Sequence, residues 1–377
     1  MKIPFLNFKV QHEHIRQEML QAFQDVYDSN WYVMGNHLLQ FEKDYAAFSG
    51  MDFAVGLSNG LDALYLSLKA LDIKEGDEVI VPSNTYIATA LAVSYTGATP
   101  VFVEPDVLTY NLCPNNLRKA IGPKTKAVIP VHLYGQACNM TEIMKVAREH
   151  KLFVVEDNAQ AHGATFNGKI TGSFGHINAV SFYPGKNLGA LGDAGGVTTD
   201  DAELAEKVRM LRNYGSRVKY NNDVIGHNMR LDELQAAFLS VKLKHLEAFT
   251  EQRREIALLY DERLKGLGDL VLPHVDPQAE HVYHLYVVRT GNRDELQQHL
   301  TAKGIGTLIH YPIPPHLQLA YSGLGYKKGD FPVAEKLADT SLSIPLWPGM
   351  TGEQAGEVCD AIESYFVEIK LEKHQLA

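Results

Sequence analysis

The 377-residue sequence predicts an α/β fold: a large domain with a mostly parallel mixed sheet flanked by helices, then a smaller C-terminal α+β domain. Three observations predict it. Apolar runs of strand length alternate with amphipathic stretches of helix length through the first two thirds of the chain. The composition is 45% hydrophobic against 21% charged, which suffices to bury a large core. Two of the apolar runs also lead directly into chemistry: residues 152–155 run to Asp157, and residues 179–183 run to Lys186 in a Gly-rich loop.

Taken in order, residues 10–28 carry Ile15, Met19, Ala22, Phe23 and Val26 at helical spacing, and residues 38–48 form a second helix. Between them lies a turn, Trp31-Tyr32-Val33-Met34-Gly35, whose aromatics are expected in the core. Ser58-Asn59-Gly60 opens a helix over 63–71. Strands are expected at 78–82, 99–103, 127–131 and 195–199, in addition to the two named above. Helices are expected from 84–89 onward and at 114–121, 140–150 and 202–211. Residues 231–267 read as a long helical stretch broken near 244–247 that bridges to the second domain. That domain should hold strands at 282–290 and 307–310 and helices at 293–303, 333–340 and 351–373. The expected division is 1–245 and 246–377, sizes within the ordinary domain range.

The formal charge of −10 argues against bulk binding to nucleic acid or to an anionic membrane. No apolar run approaches the roughly 18 residues of a membrane span. The first residues lack the apolar core and cleavage site of a signal peptide, and three cysteines without a CxxC fit reduced thiols, so a cytoplasmic protein is expected. His281 and His284 lie three apart on an expected strand and so on opposite faces. With no HExxH and no Cys/His cluster, no metal is expected. No GxGxxG follows a strand, so a nicotinamide site is unsupported.

Ligands of open α/β sheets bind outside the carboxyl ends of the strands, where Asp157 and Lys186 would face one crevice. Pyridoxal phosphate suits that pair. It needs a lysine amine for a Schiff base and an acid to keep its pyridine nitrogen protonated. The alternative, an exposed loop lysine and a helix-capping aspartate, does not account for the run from Tyr183 to Gly189, YPGKNLG. The Ser58-Asn59-Gly60 turn offers free N–H groups at a helix N-terminus to a phosphate, although Ser and Asn are also ordinary caps. Tyr86 stands at a strand-to-helix junction, where a ring can stack on a flat cofactor. Arg212, Arg217, Lys219 and Arg230 make a basic exception in an acidic chain, suited to a phosphorylated substrate, with at least two of the four expected to be ordinary solvated side chains.

Four stretches, SNGLDAL at 58–64, EDNAQAHGA at 156–164, SFYPGKNLGALGDAGG at 181–196 and GHNMRLDELQAA at 226–237, resemble the DegT/StrS sugar-nucleotide aminotransferases, a group of fold-type-I pyridoxal-phosphate enzymes, in order and spacing over nearly the whole chain. The resemblance implies that Lys186 is the Schiff-base lysine, Asp157 the pyridinium partner, Gln160 the neighbour of the phenolic oxygen and Tyr86 the stacking ring. It implies that Asn59, Gly60, Leu61 and Ser181 hold the phosphate and that Asn228 reaches the cofactor of a neighbouring subunit, making a homodimer with shared sites. Tyr183, Arg217, Lys219, Tyr220, Arg230, His310 and Tyr311 are the substrate-side residues it suggests. Leu61 stands where the family more often has Thr or Ser, which leaves backbone N–H groups to serve there. One branch of the family has histidine at the lysine position and carries out dehydration; Lys186 points to amino transfer. The loop NYGSRVKY is most similar to enzymes that move an amino group from L-glutamate to carbon 3 of dTDP-3-keto-6-deoxyhexoses. A 4-aminotransferase acting on a UDP- or dTDP-4-keto sugar and a non-catalytic, cofactor-bound regulator are the competing readings.

Overall fold

The computed structural model describes residues 2–375, with side chains through 368. Seven strands form the central sheet: β1 (Phe53–Leu57), β2 (Glu78–Pro82), β3 (Thr99–Val103), β4 (Thr125–Val128), β5 (Phe153–Asp157), β6 (Ile177–Ser181) and β7 (Gly195–Thr199). Their spatial order is β1-β7-β6-β5-β4-β2-β3. The pairs from β3 through β6 are parallel, whereas β7 runs antiparallel to both β6 and β1. The mostly parallel mixed sheet read from the sequence is therefore the one observed.

Successive strand residues point to opposite faces, and both faces are covered. On one face Val79, Val81, Val155, Ile177 and Val197 pack with Leu64, Leu68, Ala90, Val93, Ala205 and Val208. These come from helices Gly60–Ala70, Ile87–Tyr95 and Ala202–Leu211. On the other, Ile80, Val128 and Val154 meet Leu117, Ile143 and Val146 of helices Pro114–Ala120 and Met140–His150. A further core joins Ile256, Tyr260 and Leu264 to Val288, Leu342, Ile344, Trp347, Val358 and Ile362, and it takes in Ile3 from the start of the chain.

Several expectations need correction. The first helix is two, Lys9–His14 and Arg16–Ser29, because Ile15 leaves helical geometry and buries its side chain against Ala237, Phe238 and Val241. The aromatics of the turn at 31–35 are exposed. That turn is held through its backbone instead, with the Glu233 carboxylate accepting the N–H groups of Gly35 (2.7 Å), His37 (2.8 Å) and Leu38 (3.2 Å) at the N-terminus of helix Asn36–Ser49. Helix Glu233–Leu264 runs unbroken over 32 residues, and Lys244 and Glu247 are its solvent face. In the C-terminal part, β8 (Tyr286–Arg289) pairs antiparallel with β9 (Ser341–Ile344). Residues 282–285 lie outside β8, so His281 and His284 are not on a strand, and residues 307–310 contribute one bridge, Leu308 to Ser343. Among the described residues no helix is long and apolar enough to cross a membrane.

Candidate active site

The carboxyl ends of β5 and β6 bring Asp157 and Lys186 to one crevice. Asp157 is the last residue of its strand. Its side chain is buried and accepts hydrogen bonds from the Thr89 hydroxyl (2.9 Å) and the Ala159 N–H (3.2 Å). Burial raises its carboxyl above the ordinary range, while these bonds and the Lys186 charge pull it back. Among the described residues no ion pair within 4.0 Å reaches Asp157.

Lys186 lies in the loop between β6 and β7, where its N–H donates to the Tyr183 carbonyl (2.8 Å). Burial pushes its amine down to about 8, with Asp157 opposing the shift. Three imidazoles face it. His162 donates through Nε2 to the Ser181 carbonyl (3.0 Å), leaving a buried Nδ1 without a partner. Burial first, then the nearby Lys186 charge, lower His162 to about 3 and His310 to about 4 and push His284 down as well, so all three are neutral.

A second wall takes in His310 and Tyr311 from the C-terminal part. Gln160 accepts the Tyr134 N–H (2.7 Å) and donates to the Tyr311 hydroxyl (2.9 Å). The exposed Tyr86 ring leans on Tyr311, with centroids 5.2 Å apart. His310 is tied to Ser343 (2.8 Å), and its carbonyl accepts the Tyr134 hydroxyl.

The third wall is the helix N-terminus at Gly60. Asn59 caps it by accepting the Asp62 N–H (2.8 Å). The packing admits no larger residue at Gly60, since a Cβ there would lie 2.6 Å from the Ser181 Cβ. Gly195 passes beneath in the same way, where a Cβ would lie 2.3 Å from the Asn59 carbonyl oxygen. The partly buried Leu61 side chain packs against the main core.

Asn59, Gly60, Leu61, Tyr86, Asp157, Gln160, Ser181, Lys186, His310 and Tyr311 thus surround one crevice. The other predicted residues stand apart from it. Tyr183 is exposed. Arg217 sits 3.9 Å from both Glu206 and Asp223, and Lys219 lies over the Tyr220 ring at 5.2 Å. Tyr220 is 89% exposed and Asn228 is also exposed. Arg230 bridges through its backbone to Leu57 and donates to the Asn213 side chain (3.0 Å). Arg212 is buried and structural, donating to the Glu42 carboxylate and the Gly56 carbonyl (2.7 Å).

Thr89, Tyr134, His162 and His284 escaped the sequence reading. His162 lies within the quoted stretch 156–164, and Thr89 sits one helical turn beyond Tyr86; both signals were present. Tyr134 and His284 come from distant segments and carry no local signal.

A sheet of this topology, with an acid and a depressed-pKa lysine at the carboxyl ends of adjacent parallel strands and a helix N-terminus beside them, fits the class of pyridoxal-phosphate-dependent aminotransferases. Residues 13–363 match the DegT/DnrJ/EryC1/StrS aminotransferase family, and the chain belongs to it. A Streptomyces venezuelae relative named dTDP-3-amino-3,4,6-trideoxy-alpha-D-glucose transaminase is 49% identical over 97% of this chain and 96% of its own. An Aneurinibacillus thermoaerophilus relative named dTDP-3-amino-3,6-dideoxy-alpha-D-galactopyranose transaminase is 49% identical over 96% and 99%. The crystal structure of S. venezuelae DesV in complex with a ketimine intermediate superposes with a TM-score of 0.95 at 49% identity, covering 97% of this chain and 98% of that one. The Bacillus subtilis ntda structure with bound cofactor PMP superposes at 0.90 with 31% identity, covering 97% and 85%.

Proposed function

We propose that the protein transfers an amino group from L-glutamate to carbon 3 of a dTDP-3-keto-6-deoxyhexose, giving a dTDP-3-amino-3,6-dideoxyhexose. The observation that carries the reading is the buried Asp157, without an ion pair within 4.0 Å among the described residues, across the crevice from a lysine whose amine is lowered to about 8, in a chain 49% identical to two proteins named for 3-amino dTDP-sugars.

The residues present fit pyridoxal phosphate. Asp157 has room in charge terms for a protonated ring nitrogen, and the Gly60–Ser181 approach forms a cradle at a helix N-terminus for a phosphate. When bound, the cofactor supplies an aldehyde that carries the amino group and a cationic ring that draws electrons from the reacting carbon. Asp157 holds the proton on that ring nitrogen. Gln160, with one of its two amide N–H groups engaged by Tyr311, keeps the other for the phenolic oxygen. Tyr86 covers the ring face. Asn59, Gly60, Leu61 and Ser181 anchor the phosphate.

Lys186 holds the cofactor through Nζ and, once released, acts as the base. A lysine in water keeps its proton near pH 7, with a pKa of about 10.4, whereas one lowered to about 8 gives it up readily. Its neutral amine would take the proton from glutamate Cα and become the ammonium, and in the second half-reaction the ammonium would give a proton to carbon 3 of the sugar and return to the neutral amine. His310 and Tyr311 line the sugar side, and the exposed Tyr183 meets the sugar from outside the crevice.

Arg217, Lys219, Tyr220, Arg230 and Asn228 complete the site of a second copy in a homodimer. In support, the loop that bears them projects exposed apolar side chains, Ile225 at 92% among them. The division into units 1–245 and 246–377 and a cytoplasmic location belong to the same reading. An assay of the purified enzyme with L-glutamate and a panel of dTDP- and UDP-ketosugars, read by mass and NMR of the product, tests it. Nitrogen at carbon 3 of a dTDP sugar is expected. Nitrogen at carbon 4 refutes the regiochemistry, and no transfer to any ketosugar refutes the activity.

A further inference from the structure

Lys242, on helix Glu233–Leu264, is 4% exposed and faces inward. Its Nζ donates to the Gly189 carbonyl at 2.6 Å and lies 3.4 Å from His12 Nε2. Among the described residues no carboxylate pairs with it within 4.0 Å. A buried ammonium without a counter-ion is costly, and a methionine of similar length would fill the same space without that cost. Packing therefore gives no reason for lysine at this position.

The Gly189 carbonyl does. Gly189 closes the loop that carries Lys186. A Cβ there would lie 2.3 Å from the Pro184 carbonyl oxygen, so the two ends of the loop touch. The Lys186 N–H donates to the Tyr183 carbonyl (2.8 Å), and just outside the pinch the Ala190 N–H donates to the Phe182 carbonyl (2.8 Å). Lys242 ties this closed loop at Gly189 to helix Glu233–Leu264, and Gln235 of the same helix accepts the Leu191 N–H (2.8 Å) just beyond it. From the other side Asn187 is gripped by the Val282 carbonyl (3.0 Å) and His284 (3.2 Å).

We infer that Lys242 is a positioning residue for amino transfer: its hydrogen bond to Gly189 fixes the loop from which Lys186 reaches the reacting atoms. The inference rests on the proposed role of Lys186. Burial lowers the Lys242 amine to about 8, but the bond to Gly189 needs only an N–H, which the neutral amine also supplies. Misplacing a catalytic group by about 1 Å costs up to about a hundredfold in rate.

The test compares wild type, Lys242→Met and Lys242→Arg as holoenzymes, with hydrogen exchange measured on the apoenzymes. Borohydride reduction and peptide mapping come first. Cofactor attached to a residue other than Lys186 would overturn the underlying reading rather than this proposal. With the label on Lys186, Lys242→Met is expected to lower kcat about tenfold or more, with both KM values within about twofold. In its apoenzyme, amide exchange over 183–190 should rise about tenfold while that of 127–129 in the sheet is unchanged. The Tm should hold or rise, because an unpaired buried charge has been removed. Lys242→Arg should recover most of kcat and the slow exchange. Wild-type kcat and exchange in Lys242→Met, or exchange raised equally in the sheet, would overturn the proposal. Where the methionine variant does not fold, Lys242→Gln read by the same two measurements decides it.

Discussion

The crevice at Asp157 and Lys186 and the loop at 212–230 are both rich in polar side chains, yet they are built in opposite ways. In the crevice nearly every group is over-determined. Glu156, one residue before Asp157, is buried and accepts hydrogen bonds from His132 (2.6 Å) and from the Gly172 (2.9 Å) and Gly175 (2.8 Å) N–H groups. Despite burial, those bonds hold its carboxyl below the ordinary range. His132 in turn accepts the Cys138 N–H at Nδ1 (3.0 Å), which leaves Nε2 as the donor. Such a network fixes side chains before any ligand arrives. In the loop, by contrast, Arg217 donates to the Met210 Sδ (3.0 Å) and has acidic neighbours no closer than 3.9 Å, and Tyr220 and Ile225 face solvent. One region is finished within the chain, and the other leaves Tyr220 and Ile225 to solvent.

The largest expected effect breaks the finished side. Lys186→Ala should lose the near-visible absorbance of the lysine-linked cofactor and lower kcat by more than about a thousandfold. Asp157→Asn should still bind cofactor, which the Gly60 and Ser181 cradle holds independently, but turn over about a hundredfold more slowly; equilibrium dialysis beside steady-state kinetics separates the two effects. Two arginines then sharpen the contrast. Arg212→Met removes one partner of a buried ion pair and should cost about 3–5 kcal/mol in urea unfolding. Arg217→Ala should leave folding intact and raise KM for the nucleotide sugar about tenfold, an effect that shrinks at high salt. The smallest effect is a titration. In apoenzyme the Lys186 amine should acylate faster as pH rises through about 8, because only the neutral amine reacts, whereas an ordinary lysine would do so near 10.4.

Those two halves were not equally legible in the sequence. Asp157, Lys186 and Gly60 were readable because strand ends and a Gly-rich turn announce themselves locally. Thr89 stood in plain view one helical turn beyond Tyr86, but its pairing with Asp157 did not, since it reaches across 68 positions of chain. Phe53–Leu57 was missed as a strand because it is five residues long, holds a glycine and sits directly before a conspicuous turn. Ser341–Ile344 was missed because its serines read as polar although the whole strand is buried. The expected break at 244–247 mistook the solvent face of a helix for its end. Arg212 shows the same limit in reverse. Sequence grouped it with Arg217 and Lys219, and only burial separates a structural cation from a surface one. Residues defined by what lies next to them in sequence were found, and those defined by what lies next to them in space were not.

The contrast between the two regions makes subunit complementation the most direct test. Lys186→Ala and Asn228→Asp proteins, each inactive alone, would be mixed, unfolded and refolded together. If the lysine of one copy works with the loop of another, a mixed dimer holds one intact site, and the mixture should regain about a quarter of wild-type activity. A mixture that stays as inactive as its components would show that each chain uses its own loop, and would contradict the account.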